Sequence, residues 1–99
     1  MTINDTQKAL AVAYRAASDV FKVSEEVVPH SREYPASFAR HIAWLALTKQ
    51  GWPPSELARA TGKHRTTILK ALQTYNAFTG DAPADRQIQD LTQQVLSKM

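Results

Sequence analysis

The sequence predicts an all-α fold, a single compact helical domain of about five to six helices that spans residues 1–99 and contains a helix-turn-helix. Apolar residues recur at three- and four-residue steps along most of the chain, which is the period of a helix buried on one side. No segment alternates apolar and polar residues as a strand would. A chain of 99 residues builds one hydrophobic core rather than two.

The first helix is predicted to begin near Asp5, whose carboxylate can cap it. A further short helical turn is predicted at residues 25–28 and ends at Pro29. Residues 30–35 lack an apolar period and are predicted to form a polar loop. The apolar stripe of the first helix consists of Leu10, Ala13, Tyr14, Ala17, Val20 and Phe21.

A second long helix is predicted to begin near Pro35 or Ala36 and to stop before Gly51. The pattern directs Arg40 to a different face from the apolar side chains, next to His41. Trp44 and Trp52 fit core or loop packing better than stacking on bases. The predicted inner face of this helix contains Phe38, Ile42, Leu45 and Ala46.

The helix-turn-helix core is predicted at about residues 55–78, as a short helix over 55–61 and a longer one from Thr66 to about Phe78. Between them, Gly62 permits the positive φ of a sharp turn. The stereotyped spacing is present, because Gly62 follows the small Ala58 by four residues and Ile68 follows by six more. A last helix is predicted from about Ala84, with Ile88, Leu91, Val95 and Leu96 on one stripe.

Positive charge is concentrated in the middle of the chain. Residues 29–75 carry a net charge of +5, whereas residues 1–28 and 76–99 each carry −1. A basic segment between mildly acidic helices is typical of a surface that meets nucleic-acid phosphates, because neutralising them releases counterions. The alternative is a solvated basic surface with no partner.

Five consecutive polar residues form the turn and the start of the second helix of the motif: Lys63, His64, Arg65, Thr66 and Thr67, here named the basic cluster. When the motif docks on DNA, these positions face the major groove. Arg65 can bind guanine O6 and N7 together. Thr66 and Thr67 can contact phosphate or a thymine methyl, or cap the helix, while Lys63 and Lys70 suit phosphates. His64 suits phosphate or a base edge, or is simply a polar turn residue.

At the basic cluster the chain resembles the carboxy-terminal DNA-binding domain of the bacterial replication initiator DnaA. Residues 62–68, Gly-Lys-His-Arg-Thr-Thr-Ile, stand where that family has Gly-Gly-Arg-Asp-His-Thr-Thr-Val. The likeness extends upstream to residues 22–27, to the basic loop around Arg32 and to residues 38–43, and covers roughly Leu10 to Tyr75. It implies a DnaA-like domain made as a free-standing polypeptide.

The resemblance implies that Arg32 enters the minor groove and that Arg40 and His41 contact the DNA backbone or bases. It further implies that Arg65, Thr66 and Thr67 read the major groove. The chain departs from the family in three ways: its turn is one residue shorter, the family's aspartate is absent, and Arg65 stands in place of histidine. These departures imply a preferred DNA sequence different from the initiator's own.

Several other classes of function are disfavoured. The chain has no cysteine, and its three histidines are eleven and twenty-three residues apart, so neither a zinc finger nor a close histidine pair is expected. Gly62 and Lys63 do not belong to a phosphate-binding loop, so we expect no nucleotide and no ATPase activity. We also expect no enzymatic activity, cofactor or metal. A secretion signal and a membrane span are not expected, and the expected location is cytoplasmic, on the nucleoid.

The leading hypothesis is therefore a sequence-specific protein for double-stranded DNA that regulates chromosome or phage replication initiation at DnaA-type sites. A helix-turn-helix transcriptional regulator is the alternative within the same class. A third hypothesis is a protein–protein adaptor that binds the replication initiator or the helicase machinery through its last helix. The adaptor hypothesis predicts that Leu91→Asp disrupts function while Arg65→Ala does not.

Overall fold

A computed structural model describes residues 3–76 and 80–99 of the chain. Within those ranges the secondary structure is helical, with no strand, which confirms the all-α prediction. The described residues form five helices: α1 (Ile3–Phe21), α2 (Ala36–Lys49), α3 (Pro54–Thr61), α4 (Arg65–Asn76) and α5 (Pro83–Lys98).

Helix α2 lies at the centre of the fold and packs against α1, α4 and α5. Its residues 42–47 are all buried, so this helix is enclosed on nearly every side. The largest of them, Trp44, is fully buried and donates a hydrogen bond of 2.9 Å from Nε1 to the hydroxyl of Tyr14 on α1. Trp44 is therefore a core residue, as the sequence predicted, and the bond satisfies its one polar atom.

Helices α3 and α4 form the predicted helix-turn-helix. Leu57 on α3 and Ile68 on α4 are both fully buried and anchor the two helices on the core. Between them, Gly62 ends α3 in the left-handed conformation, with φ of 70°. This confirms the predicted positive φ at the turn, a conformation that costs a residue with a Cβ about 1 kcal/mol or more.

Replacing Gly62 tests this turn. We expect Gly62→Ala to lower the free energy of unfolding by about 1 kcal/mol, because no heavy atom lies within 4 Å of an added Cβ and only backbone strain remains. Gly62→Asn is the matched control and should cost less, since asparagine tolerates the left-handed region. Urea unfolding measures both. Equal stability of all three proteins would contradict the account of the turn.

The short turn predicted at residues 25–28 is present and does not extend into a helix. At residues 25–28 the backbone forms only isolated turn bonds, such as those from Val27 N to Ser24 O at 3.2 Å and from His30 N to Val27 O at 3.1 Å. Four residues between Ser24 and Pro29 cannot propagate a helix. The described residues therefore contain five helices, within the predicted range of five to six. The predicted end of α4 near Phe78 lies outside the described residues.

The last helix packs on the domain's own core. Ile88 and Val95 are buried against it, and Leu91 and Leu96 are half-buried at its edge. Helix α5 uses this stripe to contact α1 and α2. The stripe therefore packs on the domain's own core, which is the role that its pattern favours over a docking surface for another protein.

Candidate nucleic-acid interface

The basic cluster forms one continuous exposed surface. All five of its residues are exposed, and so is Lys70 one turn further along α4. Directly beneath them, Ile68 is fully buried and Leu72 nearly so, which fixes the orientation of the helix. The side chains that the sequence placed toward DNA are therefore presented outward from a rigid support.

The amino terminus of α4 carries no compensating acid. Its first turn is Arg65-Thr66-Thr67, and the His64 carbonyl accepts bonds from Thr67 N at 3.0 Å and Ile68 N at 3.3 Å. Helix amino termini attract anions through free N–H groups and the helix dipole. Asp5, Glu56 and Asp85 supply negative charge to the first turns of α1, α3 and α5. The first turn of α4 instead adds positive charge.

The start of α4 at Arg65 decides between two roles for the threonines. A cap residue precedes the first helical position, so the capping position is His64. Thr66 and Thr67 lie inside the first turn, and the capping alternative is wrong for both. Their exposed hydroxyls remain directed to the surface of the basic cluster.

The turn before α4 is held by a threonine on α3. The Thr61 hydroxyl donates to Leu57 O at 2.7 Å and accepts a bond from Lys63 N at 3.3 Å. This pair of bonds ties the turn back to the last turn of α3. Lys63 and His64 are thereby positioned by the same helix that is anchored through Leu57.

Arg40 does not project toward solvent as the sequence pattern indicated. It is 8% exposed, and its Nη1 donates to the carbonyls of Ser31 at 2.7 Å and Val28 at 3.2 Å. Its guanidinium also lies over the Trp44 ring, 5.8 Å from the centroid. The prediction of a DNA contact from Arg40 is wrong, because the guanidinium is committed to the loop carbonyls.

Arg40 instead holds the loop before α2 in place. By bonding to Val28 and Ser31 it fixes the chain on the amino-terminal side of Arg32, which is itself exposed. The sequence signal for burial was present in the neighbours of Arg40, since Ala39, Ile42 and Ala43 surround it with apolar positions. The two backbone carbonyls that accept its hydrogen bonds could not be predicted from the sequence.

Tyr34 is an exposed aromatic residue that the sequence analysis did not single out. It is 76% exposed, and its ring packs on Phe38 with centroids 6.0 Å apart. Phe38 in turn stacks on Tyr75 of α4, at 5.6 Å and 10° between ring planes. A row of aromatic rings therefore connects the loop of Arg32 with the carboxyl-terminal half of α4.

His41 joins α2 to α4 from a half-buried position. Its Nδ1 lies 3.4 Å from the hydroxyl of Tyr75, and its ring lies 5.3 Å from that of Trp44. Burial lowers the pKa of His41, and the positive charges of Arg40 and Lys63 lower it further. The neutral imidazole is thus favoured.

The lowered pKa of His41 predicts a pH dependence of stability. Above pH 6.5 the imidazole is neutral in both states and its contribution is complete. As the pH falls below that value the unfolded chain binds the proton first, so stability decreases until the folded pKa is passed. We expect His41→Gln to flatten the dependence of unfolding free energy between pH 7.5 and 5.5. An unchanged slope in this variant, with His64→Gln as the comparison, would contradict the assignment.

Residues 36–85 match the homeodomain-like domain family, a match that begins at α2 and includes the whole of α3. This is half of the chain, and the chain belongs to that homeodomain-like helix-turn-helix family. Membership of this family indicates DNA as the class of partner. Neither a curated protein nor a solved structure shows significant similarity to the chain.

The described residues offer neither a metal site nor a membrane-spanning helix. Among residues 3–76 and 80–99, no group of three or more histidine or acidic side chains is arranged to hold a metal ion. Over the same ranges, no helix combines the length and the apolar character needed to cross a membrane.

Proposed function

We propose that the chain binds double-stranded DNA in a sequence-specific manner, with α4 in the major groove. The observation that carries the proposal is the basic cluster: five exposed polar residues at the turn and first turn of a rigidly anchored α4. The helix amino end lacks an acid that would repel phosphate. In docked motifs of this kind, these positions contact base edges and the flanking backbone.

Each member of the surface has a role that its chemistry suits. Arg65 binds guanine through two parallel hydrogen bonds and supplies most of the base discrimination. Thr66 and Thr67 contact a phosphate or a thymine methyl. The remaining members of this surface contact phosphates. These contacts orient the protein on the duplex without selecting a sequence, and we assign them to Lys63, His64 and Lys70.

A second contact comes from the loop before α2. Arg32 enters the adjacent minor groove, as the resemblance to the initiator domain implies. The exposure of Arg32 and the two bonds from Arg40 that hold the preceding backbone support this role. His41 contributes at the margin of the interface, since it is half-buried and faces Tyr75.

The proposed biological role is regulation of replication initiation, by occupying DnaA-type sites without ATPase activity. It is supported by the resemblance of residues 62–68 and of the loop around Arg32 to the initiator's DNA-binding domain. A transcriptional regulator is the second candidate. It is favoured by Arg65 standing where the initiator family has histidine, which changes the base that can be read.

Selection of bound sequences from a random duplex library, at two salt concentrations, tests the proposal. We expect an enriched motif at both concentrations, and total binding that weakens as salt rises. A motif like the initiator's site supports the replication role, and an unrelated motif favours the transcriptional one. Binding without enrichment would contradict sequence-specific recognition. If no DNA binds, the adaptor hypothesis takes first place. Its protein partner would then bind a surface other than the buried stripe of α5.

A further inference from the structure

A cavity lies directly behind the turn of the helix-turn-helix. Its volume is about 320 Å³; it opens to solvent on one side and is bordered by α1, by the backbone after Val28 and by the end of α3. We name it the turn cavity. A volume of this order is at the lower end of the range of small-molecule sites. A cavity of roughly 150 Å³ holds benzene, so this one can hold an apolar body about twice that size.

The lining of the turn cavity is largely apolar and carries one cation, Lys63. Leu10, Tyr14, Pro29 and Ala60 supply most of the apolar part. The polar part comes from Gln7, His30, Thr61 and Lys63, and no acidic residue among the described ones lines the cavity. An apolar interior with one cationic group selects a ligand that has an apolar body and a single negative charge.

We propose that the turn cavity binds a small monocarboxylic acid whose body is about two fused rings in size, with its carboxylate on Lys63. Because Lys63 belongs to the basic cluster, the bound acid also competes with DNA phosphate for this cation. The competition rests on the proposed function, whereas the binding itself does not. The inference would make the chain a DNA-binding protein that releases DNA in response to an organic acid.

Titration of the whole chain with 1-naphthoate, followed by amide chemical shifts in the absence of DNA, tests the binding. We expect saturable shifts at Ala60, Thr61 and Lys63. The neutral analogue 1-naphthamide should bind about tenfold more weakly, because it lacks the charge-assisted bond. No saturable shift, or equal affinity for the acid and the amide, would overturn the proposal.

Three variants give the test its controls. Lys63→Gln should weaken naphthoate binding about tenfold, whereas Lys8→Gln removes an exposed cation of α1 outside the cavity and should change nothing. Ala11→Met places a larger side chain at an exposed position of the lining and should abolish binding while the melting temperature is retained. Normal affinity in Ala11→Met, or in Lys63→Gln, would overturn the assignment of the site.

The competition is measured separately. Saturating naphthoate should lower the affinity for a selected duplex about tenfold, and naphthamide at the same concentration should not. If DNA affinity is unchanged while the cavity is filled, the acid does not compete with DNA, although it still binds in the turn cavity. A chain that binds naphthoate and no DNA would overturn the proposed function alone. A dimer in solution whose interface protects Ala60 and Thr61 would show that a second copy, and not an acid, occupies the cavity.

Discussion

Arg65→Ala is expected to reduce affinity for the selected DNA site by about tenfold to a hundredfold and to blur the enriched motif at one base pair. The size follows from a bidentate arginine–guanine contact, which discriminates by about 1–3 kcal/mol. Arg65 is exposed at the first position of α4, so its removal leaves the core intact. Binding isotherms on the selected duplex and on a scrambled duplex of equal length measure both effects.

Arg15→Ala is the matched control for this experiment. Its side chain is 79% exposed on α1 and pairs with Glu25 at 3.8 Å, so the substitution removes the same charge from outside the basic cluster. We expect it to leave the motif unchanged. If Arg15→Ala and Arg65→Ala weaken both duplexes equally, Arg65 contributes only general charge, and specific reading by α4 is contradicted.

Arg40→Ala is expected to lower the free energy of unfolding by about 2–4 kcal/mol, which corresponds to a fall in melting temperature of about 10–20 °C. The substitution removes the buried stem and leaves the carbonyls of Val28 and Ser31 without their donor. It also removes the guanidinium from the face of Trp44. Thermal and urea unfolding measure the loss.

Arg40→Met separates hydrogen bonding from packing, because methionine keeps most of the apolar stem. We expect it to lose about half as much stability as Arg40→Ala. Arg59→Ala is the exposed comparison, since its guanidinium pairs with Glu56 at the surface and should cost little. Full stability in Arg40→Met would show that the bonds to the loop contribute nothing.

The loop bonds have a second consequence for DNA binding. At a temperature where Arg40→Met is folded, the loop that carries Arg32 loses its anchor on α2. We expect affinity for the selected duplex to fall about threefold to tenfold without a change in the motif, since the major-groove contacts remain. Affinity equal to the original protein's would dismiss the positioning role of Arg40.

The helical framework could be predicted because its determinants are local. The apolar period of α1 and α5, the stop at Gly51 and the positive φ at Gly62 are each fixed by residues close together in the chain. The exposure of the basic cluster could be predicted from its composition, because a run of five polar residues is seldom buried.

The errors arose where distant contacts decide the outcome. The helical pattern assigns Arg40 to a face away from the apolar side chains, yet its guanidinium is buried and donates to loop carbonyls twelve and nine residues earlier. The stripe of α5 was compatible with a partner or with the core, and only the position of α1 and α2 decides between them.

The most direct test of the central claim replaces the guanine under Arg65 with 7-deazaguanine, which lacks the major-groove N7 acceptor. If α4 reads the major groove through Arg65, the substitution weakens binding by the original protein about tenfold and has little further effect on Arg65→Ala. Equal weakening of both proteins, or no weakening of either at any guanine of the selected site, would contradict major-groove reading by this residue.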